Sequence, residues 1–155
     1  MTDWLEHTVQ VEVPTSVDRA WELWSDLEQM PKWMKWINAV AISPDDPDLS
    51  VWTLKASGLE FSWRSRILKL VRNQIIQWES VSGLPNRGAI RFYDRKSSSI
   101  VKLTIAYGVP DILGPILGSL PVGPIVESNL QADLERFRDY AINHPHSSEG
   151  ESSET

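Results

Sequence analysis

The sequence has no cysteine and only three histidines. Without thiols there is no disulfide, no thiolate zinc site and no cysteine nucleophile, a composition that suits the reducing cytoplasm in which the protein is expected. His144 and His146 fall in the C-terminal tail and His7 at the start of a strand. A histidine metal site or a Ser-His-Asp triad is therefore not expected, and no cofactor is assigned. Phosphate-cradling loops of the GxGxxG or GxxxxGK[ST] kind are missing. The opening "MTDWLEHTVQ" has no basic region followed by an apolar run, so no signal peptide is expected, and no segment approaches the roughly 20 unbroken apolar residues that span a bilayer. The nearest is "VPDILGPILGSLPVGPIV", residues 109–126, which four prolines and Asp111 interrupt. It reads as an apolar loop over a pocket or against a membrane surface.

What is present is one domain's length of chain, 155 residues, with eight tryptophans. A chain of this size can bury about two-thirds of its unfolded surface around one core. Tryptophan supplies large rigid apolar area with a single polar N–H. The net charge of −6 is unevenly spread: residues 60–102 hold nine Lys/Arg against three acids, or +6, leaving −12 for the rest.

"EHTVQVEV" alternates Val9, Val11 and Val13 with Gln10 and Glu12, the period of a half-buried strand ending at Pro14. In "PTSVDRAWELWSDL", Thr15 is placed to cap a helix with Asp18 three residues on, and Val17, Ala20, Trp21 and Trp24 recur at helical spacing. Pro31 in "LEQMPKWMKW" implies a second, bent helical piece before "INAVAIS" resumes as a strand. Five antiparallel strands follow, at about 50–57, 60–71, 74–81, 87–95 and 99–108, turning at Gly58, Arg72-Asn73, "SGLPN" and "RKSS". One face of that meander carries Trp52, Leu54, Phe61, Trp63, Ser65, Ile67, Ile76, Trp78, Ile90, Phe92, Val101, Leu103, Ile105 and Tyr107. The other carries Ser62, Arg64, Arg66, Gln77, Glu79, Arg91, Lys102 and Thr104, a set fit for solvent. "PIVESNLQADLERFRDYAIN" is the longest helical pattern, with Val126, Leu130, Leu134, Phe137 and Ala141 on one stripe. Residues 1–143 are thus read as a single domain and 144–155, "HPHSSEGESSET", as a disordered acidic tail.

This order of elements resembles the helix-grip fold of the SRPBCC or START-like superfamily, which includes the birch pollen allergen. Within it the chain is most similar to the polyketide cyclase/dehydrase and lipid transport group. "VEVPTSVDRAWELWSDLEQMPKWMKWINAV", "RGAIRFYDRKSSSIVKLTIAYGVP" and "ADLERFRDYA" carry the resemblance, which spans residues 6–142. It implies an α+β fold: a curved antiparallel sheet wrapped around the long C-terminal helix, with two short helices after the first strand. It also implies a cavity between sheet and helix that in many relatives holds a hydrophobic ligand.

On that basis the expected ligand wall is Trp52, Phe61, Trp63, Ile76, Trp78, Ile90, Phe92, Leu103, Ile105 and Tyr107 from the sheet, with Val126, Leu130 and Leu134 from the helix. Leu84, Ile112, Leu113, Ile116 and Leu117 would form a portal or lid, the favoured reading, with transient contact with a membrane surface as the alternative for this apolar loop. Trp21, Trp24, Trp33 and Trp36 are expected to bracket Leu134, Phe137 and Tyr140 as a packed wedge, with Met30 and Met34 as an adaptable wall beside them. No catalytic residue or metal ligand is assigned. The expected function is non-catalytic binding or transport of a lipid, isoprenoid, quinone or polyketide-like molecule.

Two alternatives stand beside it. A polyketide cyclase or dehydratase would draw on inward polar groups, of which Ser57, Ser65, Tyr107, Asn129 and Asp133 are candidates; Asp133 is read first as a solvated partner of Arg136, one turn on. A peripheral adaptor would use the basic face of Arg64, Arg66, Arg91 and Lys102 against an anionic partner. That face has no aromatic stacking platform, which argues against nucleic acid.

Overall fold

A computed structural model describes residues 3–56, 58–109 and 122–145. Ser57, the portal residues Ile112, Leu113, Ile116 and Leu117, and residues 146–155 lie outside the described residues. Strand β1 (Asp3–Val13) leads into helix α1 (Val17–Ser25) and a 3-10 helix (Leu27–Lys32). Six strands follow, β2 (Ile37–Ile42), β3 (Leu49–Ala56), β4 (Leu59–Val71), β5 (Ile75–Gly83), β6 (Asn86–Asp94) and β7 (Ser99–Val109), and helix α2 (Val122–Asn143) closes the fold.

All these strands join one antiparallel sheet in the order β1-β7-β6-β5-β4-β3-β2, in which every sequential pair from β2 to β7 is adjacent and β1 closes onto β7. This is the helix-grip α+β fold that the order of elements implies. Side-chain alternation sets which way the sheet curls: the apolar face of the strands turns inward, and Arg64, Arg66 and Arg91 stay exposed outside. Two register shifts between β4 and β5, where Val81 of β5 is the extra residue opposite Arg64/Ser65 and Leu68 of β4 the extra residue between Ile67 and Lys69, deepen the curl, because each extra residue bends its strand and adds twist. The tight turn into β6 needs Gly83, whose φ is +83° and where a Cβ would come within 2.7 Å of the Trp63 Cα.

The first helix starts one residue later than its pattern suggests. Thr15 still belongs to the turn, its N–H donating to the Val13 carbonyl at 2.8 Å, and Ser16 Oγ is the cap, accepting the Arg19 N–H at 3.2 Å. Pro31 falls inside the 3-10 helix, whose tighter turns carry the chain round to β2.

The wedge made by α1 and the 3-10 helix packs on the C-terminal half of α2. Phe137, fully buried, receives the ring of Trp24 edge-on at 4.9 Å and that of Trp33 at 5.0 Å, and Trp33 also meets Tyr140 at 5.2 Å. Two of the four expected tryptophans go elsewhere. Trp21 lies edge-on to Phe92 at 5.3 Å, since α1 sits across β6, and Trp36 turns toward the concave face of the sheet. The far end of α2 is tied down by Arg19, whose Nε donates to the His144 carbonyl at 2.7 Å, and by the His144 ring stacked on Tyr140. His144, which the sequence pattern assigns to the tail, is therefore docked on the helix.

Candidate functional site

Between the concave face of β3–β7, the wedge and α2 lies a cavity of about 320 Å³, within the range of small-molecule sites. Strong curvature of a sheet around one helix leaves this volume, and large side chains shape what remains. Trp52, Phe61, Trp63, Ile76, Trp78, Ile90, Leu103, Ile105 and Tyr107 line it from the sheet, and Val126 and Leu130 from α2, as the strand alternation and helix stripe suggest. Leu84, expected at a portal, also borders it; the turn that carries it is stitched to both sides by Leu84 N–H to Ser62 O (3.1 Å) and Gly108 N–H to Pro85 O (2.9 Å).

Two residues expected at the wall are not there. Phe92 is 4% exposed and spends its face on Trp21, while Leu134, fully buried, points into the core a fraction of a turn away from the cavity-facing Leu130 and Asp133. The cavity instead gains Met30, Met34, Trp36 and Ile37 from the wedge and β2. Thioethers beside rings are the one sequence signal for this; nothing in the spacing separates a Trp that packs on α2 from one that faces the hollow.

The indoles of this wall have fixed orientations. Trp52 and Trp63 stack at 6.0 Å and 12° as cross-strand partners, and Trp52 Nε1 donates to Ser50 Oγ at 2.8 Å. Trp78 Nε1 donates to Asn86 Oδ1 at 3.1 Å. Its ring crosses Gly88, where any Cβ would come within 2.8 Å of the Trp78 Cζ2, so the glycine makes the room that this indole occupies.

Of the polar candidates, Ser65 borders the cavity, while Asn129 is outside its lining and its Nδ2 donates to the Ile125 carbonyl at 2.9 Å. Asp133 and Tyr107 interrupt the apolar wall with chemistry of their own. Asp133 is 4% exposed rather than solvated. Its Oδ1 accepts the Lys35 N–H at 3.1 Å and a hydrogen bond from the Arg136 guanidinium, whose Nε donates in turn to the Trp33 carbonyl at 3.0 Å. Pairing with Arg136 agrees with the i, i+3 spacing, but the same carboxylate also holds the wedge to α2 and is drawn inward. Burial pushes its pKa up, against the opposing pull of the Lys35 N–H and of Arg136.

At the other end of the cavity Tyr107 Oη lies 3.1 Å from Nε2 of His7. The His7 Nδ1 is 3.4 Å from Glu127 Oε1 on α2. Burial pushes the Tyr107 phenol up to about 12, so it is un-ionised at any physiological pH. His7 joins this array because β1 extends to Asp3 and pairs along β7, with His7 opposite Ile105. Among the described residues no cluster of His, Asp and Glu could hold a metal ion, and no helix is long and apolar enough to cross a membrane.

A curled seven-stranded sheet gripping a C-terminal helix over an apolar hollow is matched by one family profile across residues 13–135. The chain belongs to the polyketide cyclase / dehydrase and lipid transport family. Among solved structures of this fold, TTHA0849 from Thermus thermophilus superposes with a TM-score of 0.77 at 19% identity, over 92% of this chain and 100% of that one. The ZhuI aromatase/cyclase from a Streptomyces species superposes with a TM-score of 0.73, also at 19% identity, over 96% and 98%. An uncharacterized 17.2 kDa protein of Streptomyces lincolnensis is 21% identical over 141 residues, 88% of this chain and 87% of its own. At these identities the likeness to the solved structures establishes the fold and leaves the chemistry to the cavity itself.

Proposed function

We propose that this chain binds a hydrophobic small molecule in the cavity between sheet and helix, and does so without altering it. The single observation that carries this reading is the hollow: about 320 Å³ remains open where eight tryptophans were available to fill it. A close-packed core would leave few voids larger than a water molecule. Fixed indoles at Trp52, Trp63 and Trp78 suit a flat or ringed ligand, and Met30 and Met34 suit one of variable outline. The family's description covers both lipid transport and cyclase or dehydrase activity, and the most buried carboxylate at the wall favours the former. Asp133 is committed to the Lys35 N–H and to Arg136, holding two structural elements together, and is a poor candidate for a group that must shuttle a proton.

Native mass spectrometry of gently purified protein, followed by organic extraction, tests this directly. An added mass that extraction recovers unchanged as an apolar compound is the expected result. Protein that carries no ligand, and that fails to take up apolar fluorescent probes, would overturn it. The outer face with Arg64, Arg66, Arg91 and Lys102 supports a further contact with anionic surfaces during loading, which vesicle sedimentation with and without anionic lipid would reveal.

A further inference from the structure

Among the described residues, a hydrogen-bonded chain of side chains, Tyr107–His7–Glu127, leads from the cavity wall to the outer surface. The His7 ring is 9% exposed and lies nearly parallel to Tyr107, with ring centroids 5.7 Å apart and planes at 23°. Tyr107 lines the cavity; Glu127, with 56% of its side chain exposed, borders a groove outside, between β1 and α2, that Thr8, Gln131 and Glu135 also line. His7 thus stands between inside and outside, with one ring nitrogen directed to each.

The donor and acceptor roles along the chain follow from its outer end. A carboxylate can only accept, so when the imidazole carries a single hydrogen the contact with Glu127 assigns it to Nδ1. The Nε2 atom is then a lone pair, and the Tyr107 O–H must donate to it. With its hydrogen turned away, the phenol oxygen offers the cavity only lone pairs. Of the other polar side chains at the wall, Ser50 is engaged with Trp52, Asn86 with Trp78 and Leu84, and Asp133 with Lys35 and Arg136, which leaves the Ser65 hydroxyl, on β4, as well as Tyr107.

Resting on the proposed binding function, we propose that the cavity selects apolar molecules bearing a hydroxyl group, which donates to Tyr107 Oη, and that His7 is the positioning residue that keeps this oxygen an acceptor. A ligand of the same shape whose oxygen carries no hydrogen would place lone pair against lone pair. The site therefore discriminates a phenol or alcohol from its ether.

Paired titrations with 2-naphthol and 2-methoxynaphthalene, followed by quenching of the tryptophan fluorescence, test the assignment. The wild-type chain is expected to bind 2-naphthol about tenfold more tightly. Tyr107→Phe should bind the two probes alike. His7→Gln, with an amide oxygen able to accept from Tyr107, should retain the preference, whereas His7→Leu frees the phenol hydrogen and should shift it toward the ether. Equal affinity of the wild type for both probes would overturn the hydroxyl selection alone. Binding of neither probe would overturn it together with the cavity function on which it rests.

Discussion

Asp133 Oδ1 accepts the backbone N–H of Lys35 across 3.1 Å, joining positions 98 residues apart in sequence. The bond ties the loop between the wedge and β2 to the middle of α2, at the edge of the cavity. Removing the carboxylate by Asp133→Ala takes this acceptor from both the Lys35 N–H and the half-exposed Arg136 guanidinium, and should cost about 1–3 kcal/mol in urea unfolding. Asp133→Asn keeps an acceptor and should cost less than half of that.

Asp133→Asn and the wild type should also differ in their response to pH. Burial raises the Asp133 pKa above its ordinary 3.8, so the folded chain holds this proton more tightly than the unfolded one. Its contribution to stability is full below the unfolded value and is lost as pH rises through the elevated folded value. Asparagine cannot ionise, so the stability of Asp133→Asn relative to wild type should improve as pH rises from below the ordinary 3.8 through the elevated folded value. Chemical denaturation at several pH values measures this difference, and a constant gap would contradict it.

Trp33 is 1% exposed and in contact with Trp24, Phe137 and Tyr140, yet among the described residues its Nε1 has no hydrogen-bond partner. Trp33→Ala should cost about 3–5 kcal/mol, a large share of the stability of an ordinary domain. Trp33→Phe leaves a smaller void and also removes the stranded N–H, so it should cost only about 1–2 kcal/mol. Thermal unfolding of the two variants side by side checks the order.

Gly83→Ala combines a left-handed φ of +83° with a Cβ aimed at the Trp63 backbone. It should destabilise by about 1–3 kcal/mol and loosen the turn that presents Leu84 to the cavity. Gly58 has a similar φ, +78°, but a Cβ there would meet nothing within 4 Å, so Gly58→Ala should be the milder of the two. Denaturant midpoints distinguish them.

Ile105→Trp places added ring volume in the existing hollow, where there is space to receive it. Apolar probe binding should fall at least about tenfold while the melting temperature changes by only a few degrees, an outcome set by filling rather than by overpacking. A variant that retains full binding would show that probes occupy some other surface.

How much of this was legible in the sequence depended on periodicity. Strand alternation from Trp52 to Tyr107 and the α2 stripe through Leu130 assign faces without any knowledge of neighbours, because a residue's side on a strand or helix is a local geometric consequence. That is why most of the expected wall residues border the hollow. Phe92 and Leu134 share those faces and are nevertheless absent from it, because where a core stops and a cavity begins depends on what arrives from elsewhere, here Trp21 and the wedge.

The amino-acid order alone determined the element sequence, the family resemblance, the apolar inner face and the basic outer one, all of which follow from local pattern and composition. Tertiary structure alone decided that His7 meets Tyr107 and Glu127, that Asp133 is buried, and that the aromatic surplus leaves a hollow. Each of these joins residues far apart in the chain, and local spacing carries no information on the distance between such groups once the sheet has curled around its helix.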